Sequence, residues 1–114
     1  MNCMNSYVNI SLNQNSLKTL GLAFKARKVI SGDLIYKNFQ HIKLLFIASD
    51  ASIKTKDRLL KKAYYYKIPV VDQFSCQQLS MAIGKNNRVA VALIDREFYQ
   101  AIVKYREDSQ WKKI

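Results

Sequence analysis

A chain of 114 residues, 49% of them apolar, suits one compact domain with a real core and is too short for two. Nineteen Lys or Arg against eight Asp or Glu give a formal net charge of +11, a field that favours a polyanion, nucleic acid first among them, and the apolar content excludes a uniformly disordered chain. Two cysteines, Cys3 and Cys76, lie 73 positions apart beside a single histidine, His41, which excludes paired zinc or thiol-redox spacing and a His-rich metal site.

Residues 1–15, "MNCMNSYVNISLNQN", have no basic start, no sustained apolar stretch and no transmembrane length, so they read as a flexible N-terminal segment of a cytoplasmic protein away from membranes. The domain is expected over 16–105. "NSLKTLGLAFKARK" predicts a first helix capped by Asn15 or Ser16, with Leu17, Leu20, Ala23 and Phe24 inward, and "VIS" a short strand. "GDLIYKNFQ" predicts a helix leading into the apolar run at 43–49, "KLLFIAS", a strand. Residues 53–66 set Ile53, Leu59, Leu60, Ala63 and Tyr64 on one side of a helix and Lys54, Arg58, Lys61 and Lys62 on the other. "IPVV" is a shorter strand with Pro69 at its start.

In "SCQQLSMAIG", Ser75 caps a helix, Gln78 reciprocates, Phe74 staples to Leu79, and Gly84 takes the permissive position after the last turn. "RVAVALI" has the length of a buried strand, and Asp95 opens a last helix that buries Phe98, Ala101, Ile102 and Tyr105, with Ile94 stapling to Tyr99. Residues 106–114 form a polar C-terminal tail that carries Trp111. Helices recurring between strands call for a three-layer α/β/α sandwich with a mixed sheet of about four strands.

Residues 1–70 hold twelve basic and three acidic side chains, residues 71–114 seven and five, so most of the field comes from the first part. Nucleotide-binding glycine loops and the nucleophile elbow are missing, and Gly84-Lys85 closes a helix where a phosphate loop opens one. In "ASDAS", Asp50 or Ser52 caps the next helix, a reading preferred to catalysis. His41 has no Cys or carboxylate neighbour in sequence.

"GLAFKARKVISG", "LLFIASDAS", "YYYKIPV" and "LSMAIGKNNRVAVALID" follow one another as in the kink-turn-binding ribosomal protein superfamily of the seven-Ae and thirty-e type, and the chain resembles its small bacterial YlxQ-like branch over residues 16–104. The resemblance implies a sandwich without cofactor or catalytic centre that binds structured RNA, ribosomal RNA included, through loops at one end. By position these are Gly32 to Lys37, Ala48 to Ser52 (with Ser49 and Asp50), and Ile83 to Arg88. Kink-turn binders open their second helix with Gly-x-Asn-Glu, where this chain has Gly32-Asp33-Leu34-Ile35. Apolar side chains offer no group to a base edge, so the expected mode is grip by shape and phosphate. Arg27 also stands where many members have glycine.

Lys25, Arg27, Lys28, Lys37, Lys85 and Arg88 suit backbone grip, and Asn86, Asn87 and Arg88 suit base contact. The expectation is a monomeric, non-catalytic, cytoplasmic binder of structured RNA at the ribosome. A ribosome-associated protein-interaction module using the Trp111 tail, or a small enzyme built around Asp50, are the alternatives.

Overall fold

The computed structural model describes residue 12 and residues 15–104. Its elements are α1 (Ser16–Lys25), β1 (Val29–Ser31), α2 (Asp33–Lys37), a 3-10 turn (Phe39–His41), β2 (Leu44–Ile47), α3 (Ile53–Tyr66), β3 (Val70–Val71), α4 (Cys76–Ile83), β4 (Ala90–Leu93) and α5 (Arg96–Val103). The alternation read from the sequence is therefore the order observed. Cys3, Tyr105 and Trp111 fall outside the described residues.

The strands form one mixed sheet in the order β1-β4-β2-β3. β2 and β3 are parallel, while β4 is antiparallel to both β1 and β2. The two central strands, β2 and β4, are buried at every position, as continuous apolar runs covered on both faces require. α1 packs against α4 and α5, α2 against β1, and α3 against β2 and the 3-10 turn, which makes the α/β/α sandwich. Fully buried side chains such as Phe46, Leu44, Leu45, Leu79 and Leu93 each stabilise this core by roughly 1.5–3 kcal/mol. Gly21 lets two helices of one layer meet: a Cβ there would lie 2.6 Å from the Ala82 carbonyl oxygen on α4.

Local signals decide most boundaries. Ser75 and Gln78 form the full capping box at the start of α4, with Ser75 Oγ accepting from Gln78 N at 3.1 Å and Gln78 Oε1 from Ser75 N at 2.9 Å. Ser52 Oγ accepts from Thr55 N at 3.1 Å at the start of α3, and the Asp95 carboxylate accepts from Phe98 N at 2.9 Å at the start of α5. Leu12 is buried, and its backbone N–H and C=O both bond the side-chain amide of Gln73.

Several expectations are corrected. Asn15 is the N-cap of α1 but makes no side-chain cap bond, and Ser16 is buried inside the first turn. The helix after Gly32 stops at Lys37, and the chain reaches β2 through the 3-10 turn, with Asn38 Nδ2 bonded to the Leu34 carbonyl at 2.9 Å. On α3, Leu59 and Ala63 are buried, but Ile53 is 86% and Tyr64 49% exposed. The inward stripe is narrower than the apolar arc because the first turn of α3 and Tyr64 fall to the side of the sheet contact. Tyr66 supplies the aromatic packing instead, parallel to Phe39 with ring centres 5.8 Å apart.

Candidate nucleic-acid interface

Strand direction gathers the candidate loops. Ser31 pairs with Val91 and Ile47 with Ala90, so the ends of β1 and β2 and the start of β4 lie at one end of the sheet. Gly32, residues 48–52 and residues 84–89 emerge there together. Gly32 has φ 67°, a left-handed value that glycine adopts without penalty, and becomes the N-cap of α2.

The loop before β4 is built on Ser80. Gly84 ends α4 in the left-handed conformation (φ 70°, ψ 31°), as its place after the capping-box helix predicts. Lys85 N then donates to the Ser80 carbonyl at 2.9 Å, and Arg88 N donates to Ser80 Oγ at 2.8 Å. One buried serine thus closes both ends of the loop. Asn87 has φ 54°, a conformation asparagine tolerates better than most residues. The turn projects Lys85, Asn86 and Asn87 into solvent, with Arg88 half-buried.

The loop after β2 is tied to the same structure. Ala48 N donates to the Val89 carbonyl at 2.8 Å and Ser49 N to the Phe74 carbonyl at 2.8 Å, while Lys56 Nζ reaches the Ser49 carbonyl. Ser52 caps α3, but Asp50 does not: its Oδ1 accepts from Cys76 N at 2.9 Å and so caps the first turn of α4. A bond across 26 residues has no signature in sequence spacing, which is why this role was not legible. Ser80 was missed for the same reason.

Three clefts surround the 84–88 loop. The first, about 620 Å³, is lined by Asp50, Gln77, Met81, Lys85, Asn86 and Asn87, among others. A second, about 810 Å³, brings Lys25, Arg27, Lys85 and Arg88 around an apolar floor that includes Phe24, Leu34 and Ile83, with no carboxylate among the described residues of its lining. The third, about 220 Å³, lies between Gly32, Asp33, Tyr36, Asn87 and Arg88. Lys85 Nζ stands 5.6 Å from the Phe24 ring centre. Arg88 Nη1 donates to the Asn86 carbonyl at 3.2 Å, whereas its Nε is buried without a partner among the described residues.

Of the residues expected at the interface, Lys25, Arg27, Gly32, Asp50, Ile83, Gly84, Lys85, Asn86, Asn87 and Arg88 line these clefts. Ser49 is exposed next to them. Lys37 closes α2 outside all three. Lys28 precedes β1, at the opposite end of that strand from Gly32, with its ammonium 3.9 Å from Asp95 Oδ1. Arg27 has φ 64°, so the corner after α1 keeps the left-handed backbone a glycine would take while carrying a cation into the second cleft. Leu34 is 52% exposed in that cleft and Ile35 is buried, so neither presents a polar group to a ligand.

The chain is 40% identical over 87 residues to the RNA-binding protein YlxQ of Bacillus subtilis (strain 168), covering 74% of this chain and 87% of that protein. It is 33% identical over 89 residues to the RNA-binding protein YlxQ of Enterococcus faecium, covering 75% and 84%. A protein of unknown function from Bacillus halodurans C is similar in structure at a TM-score of 0.75 and 35% identity, over 82% of this chain and 97% of that one. The 15.5kD RNA binding protein of Giardia lamblia shares the fold at a TM-score of 0.66 and 15% identity, over 91% of each chain. No family model matches the chain.

Proposed function

We propose that this chain, which belongs to the YlxQ-like branch of the kink-turn-binding ribosomal protein superfamily, binds structured RNA, ribosomal RNA in particular, as a cytoplasmic monomer without cofactor or catalysis. The observation that carries this reading is the second cleft, where Lys25, Arg27, Lys85 and Arg88 converge and, among the described residues, no carboxylate joins them in the lining. Phosphates entering it would meet four cations, two of them guanidinium groups suited to paired hydrogen bonds with phosphate oxygens. The relatives' RNA-binding description supports the same ligand class. Asp50, the carboxylate on which an enzymatic reading depends, is engaged in holding α4.

The grip is by shape and phosphate. Leu34 and Ile35 offer no donor or acceptor to tandem G·A pairs, and the nearby Asn38 amide is bonded within its own segment. Base contact therefore falls to Asn86, Asn87 and Arg88 at the loop. Gel-shift titration against a kink-turn RNA, the same RNA with its G·A pairs made Watson-Crick, and a ribosomal RNA fragment tests this directly. Binding within about tenfold for the first two is expected, because a good bidentate base contact, worth roughly 1–3 kcal/mol in DNA complexes, is missing. A hundredfold preference for the intact kink-turn would overturn shape reading, and no binding to any of the three at low salt would overturn RNA binding.

A further inference from the structure

α3 carries a second surface that the loop-end interface does not use. Lys54, Arg58, Lys61, Lys62 and Tyr65 recur at helical spacings of three and four, and all are exposed. The stripe starts beside the residue 48–52 loop, where Ser52 caps the helix, and runs along a 14-residue helix about 21 Å long. Asp57 is the only acid on α3, and it pairs with Lys61 at 3.1 Å. At the far end Tyr65 is 75% exposed and stands edge-on to Tyr66, with ring centres 4.9 Å apart. Tyr66 lies parallel to Phe39, Phe39 meets Tyr36 edge-on at 6.0 Å, and the Arg58 guanidinium sits 5.7 Å from the Tyr36 ring centre.

Such a surface has two properties at once. Its cations lie in a row with little opposing charge, and its aromatic group is braced from beneath while Tyr65 remains open. Rows of cations attract phosphates, and an open braced aromatic ring offers a stacking face to any base regardless of identity. We infer that the α3 stripe binds a single-stranded RNA segment, with phosphates along Lys54, Arg58 and Lys62 and a base stacked on Tyr65. This deepens the proposed RNA binding, on which it rests for the ligand class: the start of the stripe adjoins the loop end, so a single strand leaving the structured part would run down the helix. An acidic protein segment would match the cations but would gain little from the open ring.

Fluorescence anisotropy at low salt tests it with a labelled oligoadenylate dodecamer, an abasic dodecamer with the same phosphates, and a blunt-ended kink-turn hairpin. The oligoadenylate should bind at least tenfold more tightly than the abasic strand. Tyr65→Ala should remove most of that difference and Tyr65→Phe should keep it, since stacking needs the ring and not the hydroxyl. Arg58→Ala with Lys62→Ala should weaken both strands and flatten their salt dependence. Lys85→Ala with Arg88→Ala should weaken the hairpin and leave the dodecamer unchanged. Equal binding of the abasic strand, no effect of Tyr65→Ala, loss of the dodecamer with the loop variant, or displacement of the dodecamer by polyglutamate as readily as by itself would each overturn the inference. Failure of the hairpin together with the ribosomal RNA fragment, with the dodecamer still bound, would overturn the proposed function while leaving the stripe standing.

Discussion

Replacing Lys85 and Arg88 together by alanine removes two of the four cations lining the second cleft while sparing the fold. The loop is closed by Lys85 N on the Ser80 carbonyl and by Arg88 N on Ser80 Oγ, both backbone donors that alanine retains. The side-chain losses are an ammonium–ring contact to Phe24 and one bond from Arg88 to the Asn86 carbonyl, so stability should change by less than about 1 kcal/mol. Each phosphate contact removed should lower the slope of log K against log salt by about 0.7 to 0.9. Two contacts should therefore take roughly 1.4 to 1.8 off the slope. Lys85 is exposed and Arg88 half-buried, so the arginine should carry the larger share of an affinity loss of about two orders of magnitude. The assay is anisotropy with a blunt structured RNA across a salt series, beside Lys54→Ala with Lys61→Ala as the comparison pair and a urea melt of each variant. Equal slope losses from the two pairs, with both variants folded, would refute the placement of the interface at the loop end.

Three further substitutions test how the loops are held. Gly84→Ala meets no atom within 4 Å, so its cost is the left-handed backbone alone, about 1–2 kcal/mol in a denaturant melt; an unchanged midpoint would refute the capping account. Arg27→Gly should stabilise the fold by up to about 1 kcal/mol, because φ 64° suits glycine better, and should weaken RNA binding by removing a cation from the cleft; tighter binding would count against that cleft. Ser80→Ala leaves Arg88 N without its acceptor, and a loss of about 1–3 kcal/mol, with weaker RNA binding than the thermal melt alone explains, is expected; hydrogen exchange at Arg88 N as slow as in the parent protein would refute the anchoring role.

The parts of this molecule that were legible in its sequence are those whose causes are local. Ser75 and Gln78 announce a capping box three residues apart, Gly84 announces the end of the same helix, and the runs at 43–49 and 88–94 are too apolar to be anything but covered strands. Periodicity gave α3 its bounds, but it cannot say how wide the contact with the sheet is, so Ile53 and Tyr64 were placed inward and stand in solvent. The interface was legible only in outline. Arg27 and Lys28 are neighbours in sequence, yet one lines the basic cleft and the other stands near Asp95, beyond the far ends of β1 and β4. Lys28 and Gly32 lie on either side of a three-residue strand, about 13 Å apart at 3.3 Å per residue, and the Lys28 ammonium stands near Asp95, whereas Arg27 lines the cleft that runs along β1.

The same reasoning explains why the partners of Asp50 and Ser80 are not legible in the sequence. A serine within a helix and an aspartate after a strand have many ordinary local uses, and what distinguishes them here are partners 26 and 8 residues away. Together these two bonds lock the loop after β2 to the start of α4 and the loop before β4 to its middle. α4 is therefore the common brace of two loops at the proposed RNA-binding end, and its capping box at one end and Gly84 at the other do more than bound a helix. They fix the length of that brace, and with it the spacing between Asp50 and the Lys85 to Arg88 turn.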